Sequence, residues 1–446
     1  MSSWKIPSQL SSWITRLRNM VDRRLHDVFP LVLTGLLLAQ ERRRTCTSWF
    51  RAADIGSEFR RAYLAIGATG RKAETMSMSV LFDIANSPAA AKQERIKLMI
   101  DDTPSQRYGP YVEGAGVHHN PTPGPANQPF LYGHVFVTLA WAMEHPEWGA
   151  ISLPVRAELY VRKKDMPRIP PERKWTTFRT KLEQAADMID WAGTMLAHTG
   201  KSIWVGVDGG YAKRPVIQAA KRNNVTLVGR LRKDAALRSL PGPQPSGKRG
   251  RKPIYGKEVI SLAKRAAHKQ GWQTEEMVLY GEKVTKTFKT FLATWQPAGG
   301  VIRVVIVKEE DDWLPFFSIN PDATPAEILG MAADRNSLEQ TFKDVKEVWG
   351  AGQQQLRNIH ANIGAWHLNM WAYTKVELWA WEQSEEELVD RTRSPWDSEP
   401  RRPSHADRRK ALLRQCLQEE FQAAQTGPDQ HEKLLRFAER LMLLAA

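Results

Sequence analysis

The spacing of apolar residues changes character along the chain. Over residues 1–90 it is helical: Trp13, Leu17, Met20, Val21 and Leu25 recur at helical intervals, and a second apolar stretch runs from Val28 to Leu38. From residue 95 the pattern becomes strand-like. Ile96-Lys97-Leu98-Met99-Ile100 is a short buried run that ends in Asp101-Asp102-Thr103-Pro104, and a loop rich in Pro, Gly and His follows from Gly109 to Gln128. Tyr132 to Trp141 and Ala150 to Val161 predict two more strands. Residues 175–198 predict a helix, with Phe178, Leu182, Met188, Trp191 and Leu196 broadly on one side. Ile203 to Val207 is a fourth strand ending in Asp208-Gly209-Gly210; a helix, Pro215 to Arg222, and a strand, Val225 to Leu231, complete the series.

This order predicts an α/β fold: a mixed five-stranded sheet with helices on its faces, in which the first and fourth strands are neighbours. Ligands in open α/β sheets gather at strand ends, which is where both aspartates stand. Residues 240–256, Pro/Gly-rich and basic, read as a linker or mobile loop. Four strand-forming runs then follow (Met277 to Tyr280, Phe288 to Trp295, Val301 to Val307, Trp313 to Ile319), a β-rich insertion that delays the last core helix. That helix is expected to begin near Ala326 or Asp334. Five segments result: 1–90 helical, 91–235 and 326–383 the two parts of the core, 236–325 the insertion with its basic linker, and 384–446 a linker and helical tail.

Composition narrows the class. The chain has 446 residues, 64 Lys and Arg against 49 Asp and Glu, and a net charge of +15, an excess that favours a polyanionic partner. Anionic membranes attract the same charge, but Phe29 to Ala39 is about half of the ~20 residues needed to span a bilayer and lacks a cleavage site, so neither a membrane span nor a signal peptide is expected. Two distant cysteines, Cys46 and Cys416, exclude a Cys-rich zinc site and suit a reducing compartment. A cytoplasmic location follows, associated with the nucleoid if the host is bacterial. Arg42-Arg43-Arg44 punctuates the N-terminal helices where side chains could meet phosphates, or could form a solvated basic face.

A single aspartate after a strand is ordinarily a turn former or a helix cap. Two aspartates ending neighbouring strands are different, because close carboxylates repel and call for a cation. A hard divalent metal meets that demand: Mg²⁺ favours carboxylate oxygens and keeps positions for water and phosphate. Two such ions can activate an attacking oxygen and stabilise the leaving one, so phosphodiester cleavage is the natural chemistry. A third acid comes from DRNSLEQTFKDVKEVWG, residues 334–350, where Arg335, Glu339 and Lys346 share one helix face. Alone, this segment also reads as a solvated helix laced by Arg335–Glu339 and Glu339–Lys343 pairs.

As an ordered set these residues resemble the DDE transposases of bacterial insertion sequences, in the branch with a β-rich insertion before the catalytic Glu and a Tyr-x2-Arg-x3-Glu-x6-Lys motif on the last catalytic helix. Arg335, Glu339 and Lys346 match that spacing, whereas Ala332 stands at the tyrosine position. Asp101-Asp102-Thr103 is similar to the family's first motif, with Asp102 an alternative to Asp101, and Asp208-Gly209-Gly210-Tyr211 looks like its Asp-x-x-Tyr. The resemblance covers roughly residues 95–380, and the helical region before it also looks like the family's end-binding domain.

The resemblance implies a ribonuclease H-like core and catalytic, metal-binding Asp101, Asp208 and Glu339 with two Mg²⁺ ions per site, Mn²⁺ substituting. It implies DNA contacts by Arg335, Lys346, Tyr211 and Lys213. The substrates would be the terminal inverted repeats and target DNA, cut and joined by a homodimer. Trp295 and Trp313 are candidates for stacking on a flipped base, although their strand context also suits the core. A domesticated DNA-binding protein without chemistry and a nuclease without strand transfer are the alternatives. His118, His119, His360 and His367 lack the partners of a metal site. Arg401-Arg402 and Arg408-Arg409-Lys410 read as a solvated basic run.

Overall fold

Among the described residues six α-helices precede the first strand in the computed structural model: α1 (Ser8–Arg18), α2 (Val28–Leu38), α3 (Cys46–Ala52), α4 (Phe59–Arg71), α5 (Ala73–Ala85) and α6 (Pro88–Ala91). The structure describes residues 4–120, 127–175, 177–243, 251–389, 396, 401–426 and 429–445. Parts of the expected loops at 109–128, 240–256 and 384–408 therefore lie outside the described residues. The helices are amphipathic or wholly apolar, as their sequence pattern requires, and α2 is buried at nearly every position.

The sheet follows: β1 (Arg95–Gln106), β2 (Gly116–His119), β3 (Phe130–His145), β4 (Gly149–Tyr160), helix α7 (Lys181–Leu196), β5 (Ser202–Val207), helix α8 (Arg214–Arg222) and β6 (Thr226–Arg230). Strand β1 pairs antiparallel with β3 and parallel with β5; β3 also pairs with β4, and β5 with β6. The spatial order β4-β3-β1-β5-β6 is a ribonuclease H-like five-stranded core, with the first and fourth core strands adjacent as expected.

After β6 come β7 (Leu237–Arg238), β8 (Val259–Ile260), helix α9 (Leu262–Ala267) and the four long insertion strands β9 (Gln273–Leu279), β10 (Glu282–Trp295), β11 (Gly300–Lys308) and β12 (Trp313–Ser318). The insertion does not stand apart from the core. β12 pairs antiparallel with β6, so one twelve-stranded sheet runs from the core through the insertion. The β9–β10 turn at Tyr280-Gly281 has both residues at positive φ, the backbone that a tight two-residue hairpin requires.

Helix α10 (Pro325–Glu347) covers one face of this sheet, packing Ile328, Leu329, Met331 and Leu338 against Met99, Trp204 and Val228. Its start is fixed by a capping box in which Thr324 and Glu327 satisfy each other's exposed backbone amides, with Pro325 at the first turn. The helix thus begins earlier than Asp334, and Arg335 and Glu339 fall at its middle. Helix α11 (Ile359–Ala380) is buried along almost its whole length. It crosses α4 where a Cβ on Gly70 would collide with the His360 carbonyl and one on Gly364 with the Ile66 carbonyl, so glycine alone permits this approach. The N-terminal helices and the core share one hydrophobic cluster through this contact.

α12 (Glu385–Leu388), α13 (His405–Ala424) and α14 (Gln430–Ala445) close the chain. Here the expected solvated basic run is corrected: Arg408 and Arg409 are buried. Arg408 pairs with Glu377 of α11 at 2.6 Å, and its guanidinium carbon lies 3.9 Å from the Trp148 ring centroid. Arg409 donates to the Ala39 and Val348 carbonyls. Buried Arg pairs well with carboxylate and aromatic faces, which is what fixes these two side chains here. No helix among the described residues is long and apolar enough to cross a membrane.

Two buried histidines give the fold a pH limit. His134 accepts from Arg107 Nε through Nδ1 (3.0 Å), leaving Nε2–H to donate to the Glu113 carbonyl (2.9 Å). His367 donates from Nδ1 to the Ile363 carbonyl (2.8 Å) and accepts from the Ala157 amide (3.2 Å). Burial holds both neutral, pushing His134 down to about 3 and His367 to about 4. The unfolded chain takes up these protons below the ordinary value of about 6.5 while the folded one does not, so stability falls with pH in that range. The loss is about 1.4 kcal/mol per pH unit per histidine. Between pH 7 and pH 5 these two histidines together withdraw about 4 kcal/mol, offset in part by Asp101, whose raised carboxyl favours the folded state as pH falls, so the urea midpoint should drop; an unchanged midpoint overturns this account.

Candidate active site

The carboxylates of interest are placed by where one strand stops. The last registered pair of β1 with β5 is Ile100–Val207, so Asp101 and Asp208 each stand one residue beyond it on adjacent parallel strands. β1 itself does not end there, contrary to the sequence expectation. It runs on to Gln106 against β3 after β5 has gone. On the side β5 vacates, the Asp102 amide donates to Asp101 Oδ1 at 2.8 Å. Pro104, which shares Asp102's parity, has no amide to leave unpaired, and that is why a strand can carry proline here.

Strand alternation separates the two adjacent acids. Lys97, Met99 and Asp101 face α10, as do Trp204 and Gly206 on the way to Asp208. Asp102 faces the opposite way, where Lys181 of α7 donates to it at 2.7 Å and the Tyr211 hydroxyl donates at 2.7 Å. Lys181 had no signal in the sequence, because its meeting with Asp102 depends on how α7 packs. Asp208 Oδ1 accepts from the Tyr211 amide at 3.0 Å, so the Asp-Gly-Gly-Tyr turn ties its own carboxylate.

From α10, Arg335 bridges two acids. Its guanidinium donates to Asp101 Oδ2 at 2.6 Å and to Glu339 Oε1 at 2.8 Å. The i,i+4 ion pair of the bland helix reading and the convergence with the strand-end aspartate are both present. Burial pushes the Asp101 carboxyl up to about 7; the Arg335 charge opposes that, and the Asp208 and Asp102 charges add to it. Two turns beyond Glu339, Lys346 donates to Thr103 Oγ1 at 2.5 Å, and burial lowers its ammonium to about 8. Glu339 is the most open member, its side chain 60% exposed.

The donor set suits a hard divalent cation, being made of carboxylate oxygens alone. Among the described residues, however, no three His, Cys, Asp or Glu side chains converge closely enough to hold a metal ion. Asp101 and Glu339 meet through the Arg335 guanidinium, whose positive charge stands where the carboxylates call for a cation. Ala332, at the tyrosine position of the motif, lines a cavity of about 400 Å³ together with Asp208 and Arg335. Tyr280, at the insertion's hairpin turn, lines the same cavity, and its hydroxyl accepts from Asn336 Nδ2 at 3.2 Å.

The remaining candidates divide. Arg42 and Arg43 are exposed beside Lys346, whereas Arg44 is half-buried and its amide donates to Gln353 Oε1 at 2.8 Å. Lys213 is half-buried at the start of α8, and Tyr211 is buried at 3% exposure. Trp295 is buried edge-on against Phe317, centroids 5.0 Å apart, and Lys233 Nζ lies 5.0 Å from the half-buried Trp313 ring centroid. Trp295 therefore packs inside the insertion sheet, whereas Trp313 stays partly exposed beneath the Lys233 ammonium. His118 and His119 lie on β2 rather than in a loop.

No curated protein matches the chain. The family model described as DDE superfamily endonuclease matches residues 16–294, from α1 to the end of β10, so both strand-end aspartates lie inside the match and α10 with Glu339 beyond it. A match over more than half of the chain shows the family, and with it nuclease or transposase-type activity on DNA. The chain belongs to the DDE superfamily endonucleases.

Proposed function

We propose that the protein is a DNA transposase that cuts at the ends of a mobile element and joins the freed 3′-hydroxyl to target DNA. One observation carries this reading: Asp101 and Asp208 leave adjacent strands toward α10, whose Arg335 joins Asp101 to Glu339. Asp101, Asp208 and Glu339 would hold two Mg²⁺ ions, or Mn²⁺ in their place, and the ions would activate the attacking oxygen and stabilise the leaving one. Asp102, held by Lys181 and Tyr211, has the supporting task of keeping β1 straight past the end of β5. Arg335 and Lys346 flank Glu339 on its helix, placed to hold phosphates on either side.

The helical region 1–90 is assigned to contacts with the terminal inverted repeats, and residues 236–325 to the insertion that abuts the catalytic helix. Pairing two ends calls for a homodimer on DNA. The test uses duplexes copied from the DNA that brackets the gene, incubated with the protein and Mg²⁺. Nicks at the repeat boundary followed by covalent joining to a target plasmid are expected. Cutting without joining supports a plain nuclease, and binding without cutting a domesticated DNA-binding protein; either result overturns the proposal.

A further inference from the structure

A cleft of about 1100 Å³ opens next to the candidate centre. One wall is the end of β1 and the loop after it, from Pro104 to Val112; the other is the α10–α11 connection, from Ala351 to Arg357; Arg42 and Arg43 reach it from the loop after α2. Its volume exceeds the range of about 300–1,000 Å³ that suits a drug-sized ligand. Among the described residues its charged lining is Arg42, Arg43, Arg107, Lys346 and Arg357, with no Asp or Glu. Arg107 is committed to His134 and the Gly352 carbonyl, and Lys346 to Thr103. Arg42, Arg43 and Arg357 are exposed.

Two aromatic rings stand in this cationic lining. Tyr108 is 76% exposed and Tyr111 74%, with Gly109-Pro110 between them and Arg357 lying 5.9 Å from the Tyr111 ring centroid. Phosphates alone would need only the cations. Open rings gain by stacking on bases, and in a duplex the bases already stack on one another, so the pair of tyrosines selects unpaired nucleotides. The cleft begins at Pro104, three residues beyond Asp101 on the same strand, so DNA gripped at the centre has a direct way into it.

We propose that this cleft binds an unpaired DNA strand leaving the cutting site, its bases stacked on Tyr108 and Tyr111 and its phosphates on Arg42, Arg43 and Arg357. The inference rests on DNA being the substrate, as read above, and not on any catalytic step. Its test is fluorescence anisotropy on the full chain without metal, with a twelve-nucleotide oligo(dT) and a blunt duplex as probes.

Stacking on aromatic side chains predicts that the double variant Tyr108→Ala/Tyr111→Ala binds oligo(dT) at least about tenfold more weakly, and the duplex within about twofold of the parent. The Tyr108→Phe/Tyr111→Phe variant keeps the rings and should stay within about threefold on both probes. No oligo(dT) binding by the parent protein, no loss in the alanine variant, or an equal loss on both probes overturns the proposal. Selective loss in a protein that never cuts DNA would leave the cleft assignment standing and remove the transposase reading instead.

Discussion

Asp208→Ala and Glu339→Ala each reduce DNA cleavage by at least about a thousandfold, while affinity for end DNA stays within about twofold. The first half of this expectation follows from charge. Deleting one member of a carboxylate set that must hold divalent cations removes part of the cage that stabilises developing charge on the phosphodiester, and a factor of a thousand is about 4 kcal/mol of barrier. The second half follows from position: among the described residues the Asp208 carboxylate accepts just the Tyr211 amide of its own turn, and Glu339 is 60% exposed on the α10 surface, so neither side chain holds the fold together.

The same assay separates the two neighbouring aspartates. Asp101→Asn is expected to behave like Asp208→Ala. Asp102→Asn keeps most of its activity, because the amide oxygen still accepts from Lys181 while the amide NH2 donates to the Tyr211 hydroxyl, which turns to accept, on the other face of the sheet. Gel-based cleavage of labelled end duplexes, with binding measured in parallel by mobility shift, reads both effects. Full activity in Asp208→Ala or Glu339→Ala, or total loss in Asp102→Asn alone, would sink the assignment.

The core strands were legible because each is a continuous apolar run bounded by turn residues, and their order is enough to set β1 beside β5. The choice between Asp101 and Asp102 was not, since alternation names a face only once one knows that Met99 packs under α10. The insertion was legible as four strands but not as an extension of the core sheet, because the β6–β12 pairing joins residues about ninety positions apart. Arg408 and Arg409 misled for a related reason: a buried Arg on Glu377 or on a backbone carbonyl looks, in sequence, like any basic run. The two tyrosines of the cleft carried no periodic signal at all, lying in a loop whose meaning depends on Arg357 across the gap.

Replacing Arg335 separates metal binding from catalysis. In the DNA-free protein its guanidinium joins Asp101 to Glu339 and partly neutralises a cluster that also feels Asp208. A divalent ion entering this site competes with that guanidinium for the same oxygens. In Arg335→Gln the competitor is gone and the carboxylates repel one another, so Mn²⁺ binds at least about tenfold more tightly by calorimetry, a change of about 1.4 kcal/mol. Cleavage nevertheless falls by about tenfold or more, because the phosphate that would draw Arg335 off the acids loses its cation. The two readouts move in opposite directions, which simple disruption of the site does not produce: a distorted cage would weaken Mn²⁺ binding along with cleavage. Mn²⁺ affinity that is unchanged or weaker in Arg335→Gln removes the idea that this arginine occupies the place of the metal until DNA arrives.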